Sequence, residues 1–355
     1  MVSERIQYDS EFAFELRVCY WAEREWPPIG TLEDDTIALV ARQLGTKRRR
    51  WDTIVVETTA AALEQRATFG TERLDDDLRY VLRSAPEEWT FYRDALPEPD
   101  YPWRYVRETI HEADDRGILD VRKSGNRIEI RRQYRYPEWV DRIVAIENKP
   151  DLDASAASAL QPQLERDVAL GLADEAWVAT RATDAAVSPV LFEDLPVEAG
   201  VLEVDPTALS ASVAWHAQAL EPAAPGTRIT DRGGGHSSFD QSAATFEYVS
   251  PDRKATLRYR IAERAYERGW RAFIDTMRSD CRWFGPRERD GQVLPWCGSH
   301  CRVQTASECS GSCPAFEPEP PAWRQHSWPI DGGPGKTVER LLAARRARLR
   351  GTKKS

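Results

Sequence analysis

The stretch Trp139-Val-Asp-Arg-Ile-Val-Ala-Ile-Glu-Asn148 constrains this chain most: it is nearly continuously apolar and only as long as a strand. A strand of that kind is covered on both faces, so other elements must lie above and below it. A polar turn follows at 150–155, then a helix over about 156–172 and a second strand, Glu175-Ala-Trp-Val-Ala-Thr180. Strand, helix and strand at this spacing make a βαβ-like unit in a mixed sheet, which sets the fold class as α/β. Val201 to Val204 and a helix after Asp205 are expected to extend it.

Upstream, Phe12, Leu16 and Cys19, flanked by Phe14, Val18 and Trp21, predict a largely buried helix between Asp9 and Trp26, stopped by Pro27-Pro28. Residues 34–44 are expected to be a second helix, up to Gly45. Asp52-Thr-Ile-Val-Val-Glu-Thr58 is short and β-branched and reads as a buried strand. Residues 71–136 alternate helical patterns around a Pro-rich break. They end in a helix from Trp103 capped by Gly117, then two alternating strands joined by Ser124-Gly125-Asn126. Helices followed by a basic hairpin predict an inserted winged-helix-like segment.

Pro225-Gly226 and Gly233-Gly234-Gly235 give residues 222–250 the composition of a linker. The expected organisation is therefore a core over 1–221 carrying the 71–136 insertion, the linker, a helix (about Thr256 to Met277) plus a cysteine-rich module over 251–316, and a Pro-rich spacer with a basic tail over 317–355.

No run in the 355 residues approaches the roughly 18 uncharged residues of a membrane span, so a membrane protein is excluded. Met-Val-Ser-Glu-Arg at the start has no apolar signal core, and the expected location is cytoplasmic. Only seven of the 49 basic residues are Lys, and 58 acids leave a net charge of -9. Few Lys with many Arg, Asp and Glu resemble the composition of proteins from salt-loving archaea, where an acidic surface keeps proteins hydrated. An acidic total of that origin does not exclude nucleic-acid binding, because counterion release adds little in multimolar salt. Local clusters are more telling: Lys47-Arg48-Arg49-Arg50, and the tail from Lys336 to Lys354 with eight basic residues against the single acid Glu339.

Side chains alternate along a strand, so Glu147 and Lys149 leave the apolar strand on one face while Asn148 leaves on the other. Burying both charges is costly unless they pair or bind a metal. If the strand opening at Asp52 lies antiparallel beside 143–149, Asp52 meets Glu147 and Lys149. The rival acid Asp141 is six residues from Glu147, roughly 20 Å along the strand, too far to share an ion. Two carboxylates and a lysine suit metal-assisted phosphodiester hydrolysis, with Mg²⁺ or Mn²⁺ on hard oxygen ligands and the lysine orienting the attacking hydroxide. Glu15, an acid within the apolar first helix, is a candidate outer ligand, and Gln163 a candidate to hold the lysine or a phosphate. His236 and Ser237 fall in the Gly-rich stretch, where no rigid triad can form, and His111 and His216 read as packing residues in helical stretches.

A helix with Glu15, a strand with Asp52, a strand with Glu147-Asn148-Lys149, a helix with Gln163 and the strand 175–180 together resemble the PD-(D/E)XK nuclease superfamily. The resemblance covers residues 8–60 and 137–181. It implies a restriction-endonuclease-like mixed sheet flanked by helices and metal-dependent cleavage of DNA or, less often, RNA. The sequence departs from the pattern in placing Trp51 where the motif has Pro, and in about 80 residues between strands that the superfamily keeps closer. The whole chain also resembles uncharacterised halophilic-archaeal proteins. The alternative is a non-catalytic DNA-binding or regulatory protein using the nuclease fold as a scaffold.

Cys281, Cys297, Cys301, Cys309 and Cys313 fall within 33 residues. In a cytosolic chain that spacing reads as a metal site before a disulfide set, and its two Cys-x3-Cys pairs supply the four ligands of structural zinc, with His300 in reserve. The superfamily resemblance also implies a four-iron four-sulfur cluster as the other candidate, because some members carry one beside the nuclease core with an early cysteine, here Cys19, as a ligand.

Overall fold

The computed structural model describes residues 11–30, 35–184, 187–232, 244–270, 281, 283–289, 292–305, 308–309 and 313–317. Helix α1 (Glu11–Glu25) is followed by a hairpin of β1 (Thr36–Gly45) and β2 (Arg50–Thr59), the short α2 (Ala60–Ala67) and the insertion. The insertion comprises α3 (Asp76–Ser84), β3 (Thr90–Phe91), α4 (Tyr92–Ala95), α5 (Trp103–Asp115), β4 (Leu119–Ser124) and β5 (Arg127–Arg132). Then come β6 (Arg142–Asn148), α6 (Ala154–Leu170), β7 (Glu175–Arg181), a 3₁₀ turn over Pro189–Asp194, β8 (Gly200–Asp205) and β9 (Ser210–Trp215). A hairpin of β10 (Gly226–Arg232) and β11 (Ala244–Val249), α7 (Pro251–Arg268), and the strands β12 (Phe284–Arg289), β13 (Gln292–Cys297) and β14 (Arg302–Val303) complete the described elements.

Six strands form the central sheet in the order β1-β2-β6-β7-β8-β9. The inner strands β6, β7 and β8 run parallel, and the outer pairings are antiparallel. The apolar run thus lies where its composition requires, between β2 and β7, with every residue from Ile143 to Asn148 buried. Its even face, Val144 and Ile146, packs under α1 with Phe14, Leu16, Val18 and Trp21. The odd face, Ile143 and Ala145, packs with Ile54, Val56 and the α7 residues Leu257, Ile261 and Ala265. Burying α1 from Phe12 to Ala22 needs cover on all its sides. Leu294, Trp296 and Val303 of the C-terminal strands supply part of it.

Several expectations from the sequence are corrected. Of the residues expected as a second helix, 36–44 lie in strand β1, even though Ile37, Val40, Ala41 and Leu44 repeat at helical spacing. Pairing with β2 from Thr36↔Thr59 to Gly45↔Arg50 decides the matter, since tertiary pairing outweighs a weak local preference. The helix expected after Asp205 is instead a turn leading into β9, with Asp205 Oδ1 accepting from the Thr207 and Ala208 amides. The 222–250 stretch, expected as a linker, contributes both strands of a packed hairpin. A Cβ on Gly226 would lie 2.1 Å from the Leu170 carbonyl oxygen of α6, so only glycine permits that approach. Helix α7, expected to begin beyond the core, joins it through Leu257, Ile261, Ala262 and Ala265.

The insertion runs helix, strand, two helices, hairpin, and its sheet has the order β3-β5-β4. Gly117 follows α5 with φ +65, as the capping role requires. The continuation of the late helix toward Met277, the basic tail, the spacer from 318, His236 and Ser237 lie outside the described residues. His111 is exposed on α5 and His216 is exposed after β9, so neither is a packing residue.

Candidate active site

The last paired residues of β2 and β6 are Thr53 and Ile146, so Asp52 and Glu147 face one another one step further on. Asp52 Oδ2 accepts from the Asn148 amide at 3.0 Å, which ties the start of one strand to the end of the other. Asp141, the rival acid, lies at the opposite end of β6, where its amide donates to the Glu57 carbonyl.

Four further elements converge here. Gln43 of β1 sits opposite Asp52 at φ +53, a conformation costly for a side chain with a Cβ. Its amide nitrogen donates to Asp52 Oδ1 at 3.0 Å and to Glu15 Oε1 of α1 at 2.9 Å. Arg42 clamps both Glu15 oxygens at 3.0 and 2.9 Å. From the β1–β2 turn, Arg49 donates to Glu147 Oε1 at 2.7 Å and to Asp167 of α6 at 2.7 and 3.0 Å. Lys149 Nζ pairs with Glu11 Oε1 at 3.0 Å, in the first turn of α1, and no contact with Glu147 accompanies it among the described residues.

Five carboxylates, Glu11, Glu15, Asp52, Glu147 and Asp167, therefore meet three cations, Arg42, Arg49 and Lys149. Asp52 is the acid left over: it accepts from an amide side chain and a backbone N–H but enters no ion pair among the described residues. Burial raises the Asp52 carboxyl above its ordinary value against those two donors. Burial also raises Glu15, against Arg42, and Asp167, against Arg49. Glu147 is pushed up to about 8 by burial and then by the charge of Asp52, with Arg49 pulling the other way and Asp167 adding to the rise. Two adjacent carboxylates, Glu147 buried and Asp52 half-buried with no cation of its own, are the donor set that a hard dication takes.

Of the residues expected in the site, Asp52, Glu147 and Glu15 come together. Lys149 is at the edge. Gln163 lies on α6 one turn before Asp167 and makes no hydrogen bond among the described residues. Within the basic run only Arg49 turns inward, while Lys47, Arg48 and Arg50 are exposed. Gln43, Arg49 as a carboxylate clamp, Glu11 and Asp167 were not legible as site residues. Asp167 did leave a signal: it follows Leu160 and Leu164 on the buried stripe of α6, where an acid needs a partner.

A family model matches residues 39–318, more than three quarters of the chain. The chain belongs to DUF5787, a family of unknown function. The DUF5787 match spans Asp52, Glu147, Asp167, the insertion and all five late cysteines, and leaves out α1 with Glu11 and Glu15. No curated protein and no solved structure matched.

Inside the same DUF5787 range, Cys281, Cys297, Cys309 and Cys313 line one cavity of about 20 Å³ together with His300. All are free thiols. Cys309 is raised to about 11 by burial and then by the three neighbouring cysteines. His300 Nε2 stands 3.9 Å from Cys313 Sγ. Cys301 is not part of the group: it is exposed, with its thiol directed at the Gly298 carbonyl. Cys19 is also apart, buried in α1 beside Thr53 at 3.3 Å. In the arrangement present, no group of three or more His, Cys, Asp or Glu among the described residues is set to hold a metal ion.

Proposed function

We propose that this chain is a metal-dependent nuclease that hydrolyses DNA phosphodiester bonds. The observation carrying the reading is the opposition of Asp52 and Glu147 at adjoining strand ends, with Asp52 lacking a cation among the described residues. The order α1, β1, β2, β6, α6, β7 around that pair supports a restriction-endonuclease-like core. The insertion's element order and its β3-β5-β4 sheet support a winged-helix reading, with Arg104, Tyr105 and Arg107 of α5 and Lys123 and Arg127 of the hairpin exposed.

Asp52 and Glu147 are the residues to hold Mg²⁺, which when bound neutralises charge building on the phosphorus-centred transition state. The chain's own groups do the rest. Gln43 orients Asp52 against Glu15, Arg49 holds Glu147 and Asp167 in place, and Lys149, on the solvent side, orients the attacking water. Cys281, Cys297, Cys309 and Cys313 would be the ligands of a four-coordinate zinc once their thiols, which line one cavity without being set around an ion, close on it. Zinc is preferred over an iron-sulfur cluster because Cys19, the early ligand that such a cluster would draw on, is buried in α1 beside Thr53, apart from these four. Elemental analysis of purified protein is expected to give about one zinc per chain. Iron and acid-labile sulfide in its place would reverse that assignment.

The hydrolase reading is tested with end-labelled linear and circular DNA in KCl with Mg²⁺, Mn²⁺ or EDTA. Cleavage with either metal and none in EDTA is expected. One observation favours a second reading: the Glu147 carboxylate is already clamped by Arg49 and Lys149 faces Glu11. Binding without cleavage under every metal would make the chain a DNA-binding scaffold.

A further inference from the structure

A cleft of about 750 Å³ lies on the other side of the turn that delivers Arg49. Its volume falls within the roughly 300–1,000 Å³ typical of ligand sites. The walls are the turn itself (Gly45 to Arg48), the start of the insertion (Arg73 to Asp77), Arg228 of β10 and one stripe of α7, where Arg253, Leu257, Arg260 and Arg264 recur at helical spacing.

The charges in this cleft are unevenly matched. All four of its acids are engaged by the protein. Asp75 caps α3, Asp76 takes Arg79 and Arg260, Asp77 accepts from Tyr101, and Glu263 takes Arg66. Among the cations, Arg48 and Arg228 share Glu247. Lys47, Arg73, Arg253 and Arg264 have no carboxylate partner among the described residues, and Arg264 reaches only the Gly45 carbonyl, at 3.1 Å. Burial, and then repulsion from Arg268 and Arg73, lowers Arg264 below its ordinary value, a sign of how closely the cations crowd. Asp75 and Asp77 have no cation partner among the described residues, so four unpaired cations stand against two unpaired acids in the cleft.

We infer that this cleft binds the phosphate backbone of a nucleic-acid strand and leads it over the 45–50 turn to Asp52 and Glu147. Lys47 and Arg48 line the cleft and Arg49 touches Glu147, so one short turn joins the two places. The turn is held by Thr46, whose amide donates to the Arg49 carbonyl at 2.7 Å. A Cβ on Gly45 would lie 2.2 Å from that same oxygen, so the tight turn requires glycine. Phosphates offer the strong acceptors that arginine forks match, and they are read without regard to base.

The inference deepens the nuclease reading by giving its substrate a path, and the test keeps the two apart. Fluorescence anisotropy of the full chain in EDTA, where no metal supports cleavage, measures binding to labelled single-stranded DNA and RNA of one sequence across a KCl series. Arg73→Ser/Arg253→Ser removes two exposed side chains that make no hydrogen bond or ion pair among the described residues, so the variant should remain folded by circular dichroism. The expected result is at least a tenfold loss of affinity at low salt and a slope of log Kd against log salt shallower by about 1.4, two phosphates at roughly 0.7 each. Similar losses for DNA and RNA would identify the backbone as what is recognised. A double variant with wild-type Kd and slope, or a wild-type chain that binds neither strand, would overturn the inference. Binding that depends on Arg73 and Arg253 in a protein that never cleaves would retain the cleft and reject the hydrolase.

Discussion

Glu147→Gln is expected to remove metal-dependent cleavage by about 10³-fold or more, because a carboxylate holding a catalytic dication contributes several kcal/mol to the transition state and each 1.4 kcal/mol is tenfold in rate. The substitution keeps the shape and leaves an oxygen to accept from Arg49, so the fold and DNA binding in EDTA should persist. Cleavage assays beside anisotropy in EDTA separate the two properties, and undiminished cleavage by the variant would move the chemistry away from this strand end. The same substitution has a signature that needs no substrate. In the unfolded chain the carboxyl ionises near its ordinary 4.5, whereas in the fold it keeps its proton to about 8. Between those values the folded state binds the extra proton. The stability this group contributes is therefore full below pH 4.5 and declines as pH rises toward 8. An amide at this position cannot ionise, so in metal-free buffer the variant's urea midpoint should gain on wild type across that window. Parallel midpoints from pH 5 to 8.5 would show that Glu147 is not the buried acid described.

Glu263→Ala is expected to cost about 3–5 kcal/mol, the usual effect of removing one partner from a buried ion pair. Arg66 of α2 and Glu263 of α7 are 0% and 1% exposed and meet through two bonds of 2.7 and 2.5 Å. The same carboxylate also accepts from the Leu74 amide, the Tyr136 hydroxyl and the Trp139 indole. Its removal leaves the buried Arg66 guanidinium without a counter-charge and takes an acceptor from the Leu74 amide and the Tyr136 hydroxyl, each with a desolvation cost of its own. The urea midpoint should fall by about 1 M or more. Glu263→Gln, which keeps an acceptor, should lose less. A change within about 0.5 kcal/mol, the size of an ordinary surface substitution, would mean that α7 is not integral to the core.

The residues of this pair lie 197 positions apart, which is why no local pattern announced it. The opposition of Asp52 and Glu147 was legible, because each ends or opens a short apolar run and antiparallel neighbours bring such ends together. Nothing in Lys47-Arg48-Arg49-Arg50 distinguishes the third residue, since four consecutive cations look alike until a turn aims one inward. Gln43 owes its role to a positive φ at the one position of β1 between Arg42 and Leu44 that is not paired with β2, which no local sequence pattern marks. The proline and glycine content of 222–250 matched a linker, yet β10 and β11 pair within it, because strand pairing is decided by the partner strand rather than by local composition.

By itself the sequence determined what periodicity and burial cost can determine: an α/β chain, a central strand covered on both faces, the βαβ unit after it, and an acid at a strand end that needed partners. The tertiary structure alone decided that 36–45 is a strand, that Arg49 and Asp167 enter the carboxylate site, that Cys301 stays outside the cysteine cavity, and that unneutralised arginines from distant segments line one cleft. The division follows from range. Alternation and helical repeats are properties of neighbouring residues, whereas strand pairing, charge neutralisation and cavity shape depend on which distant segments the whole core brings into contact.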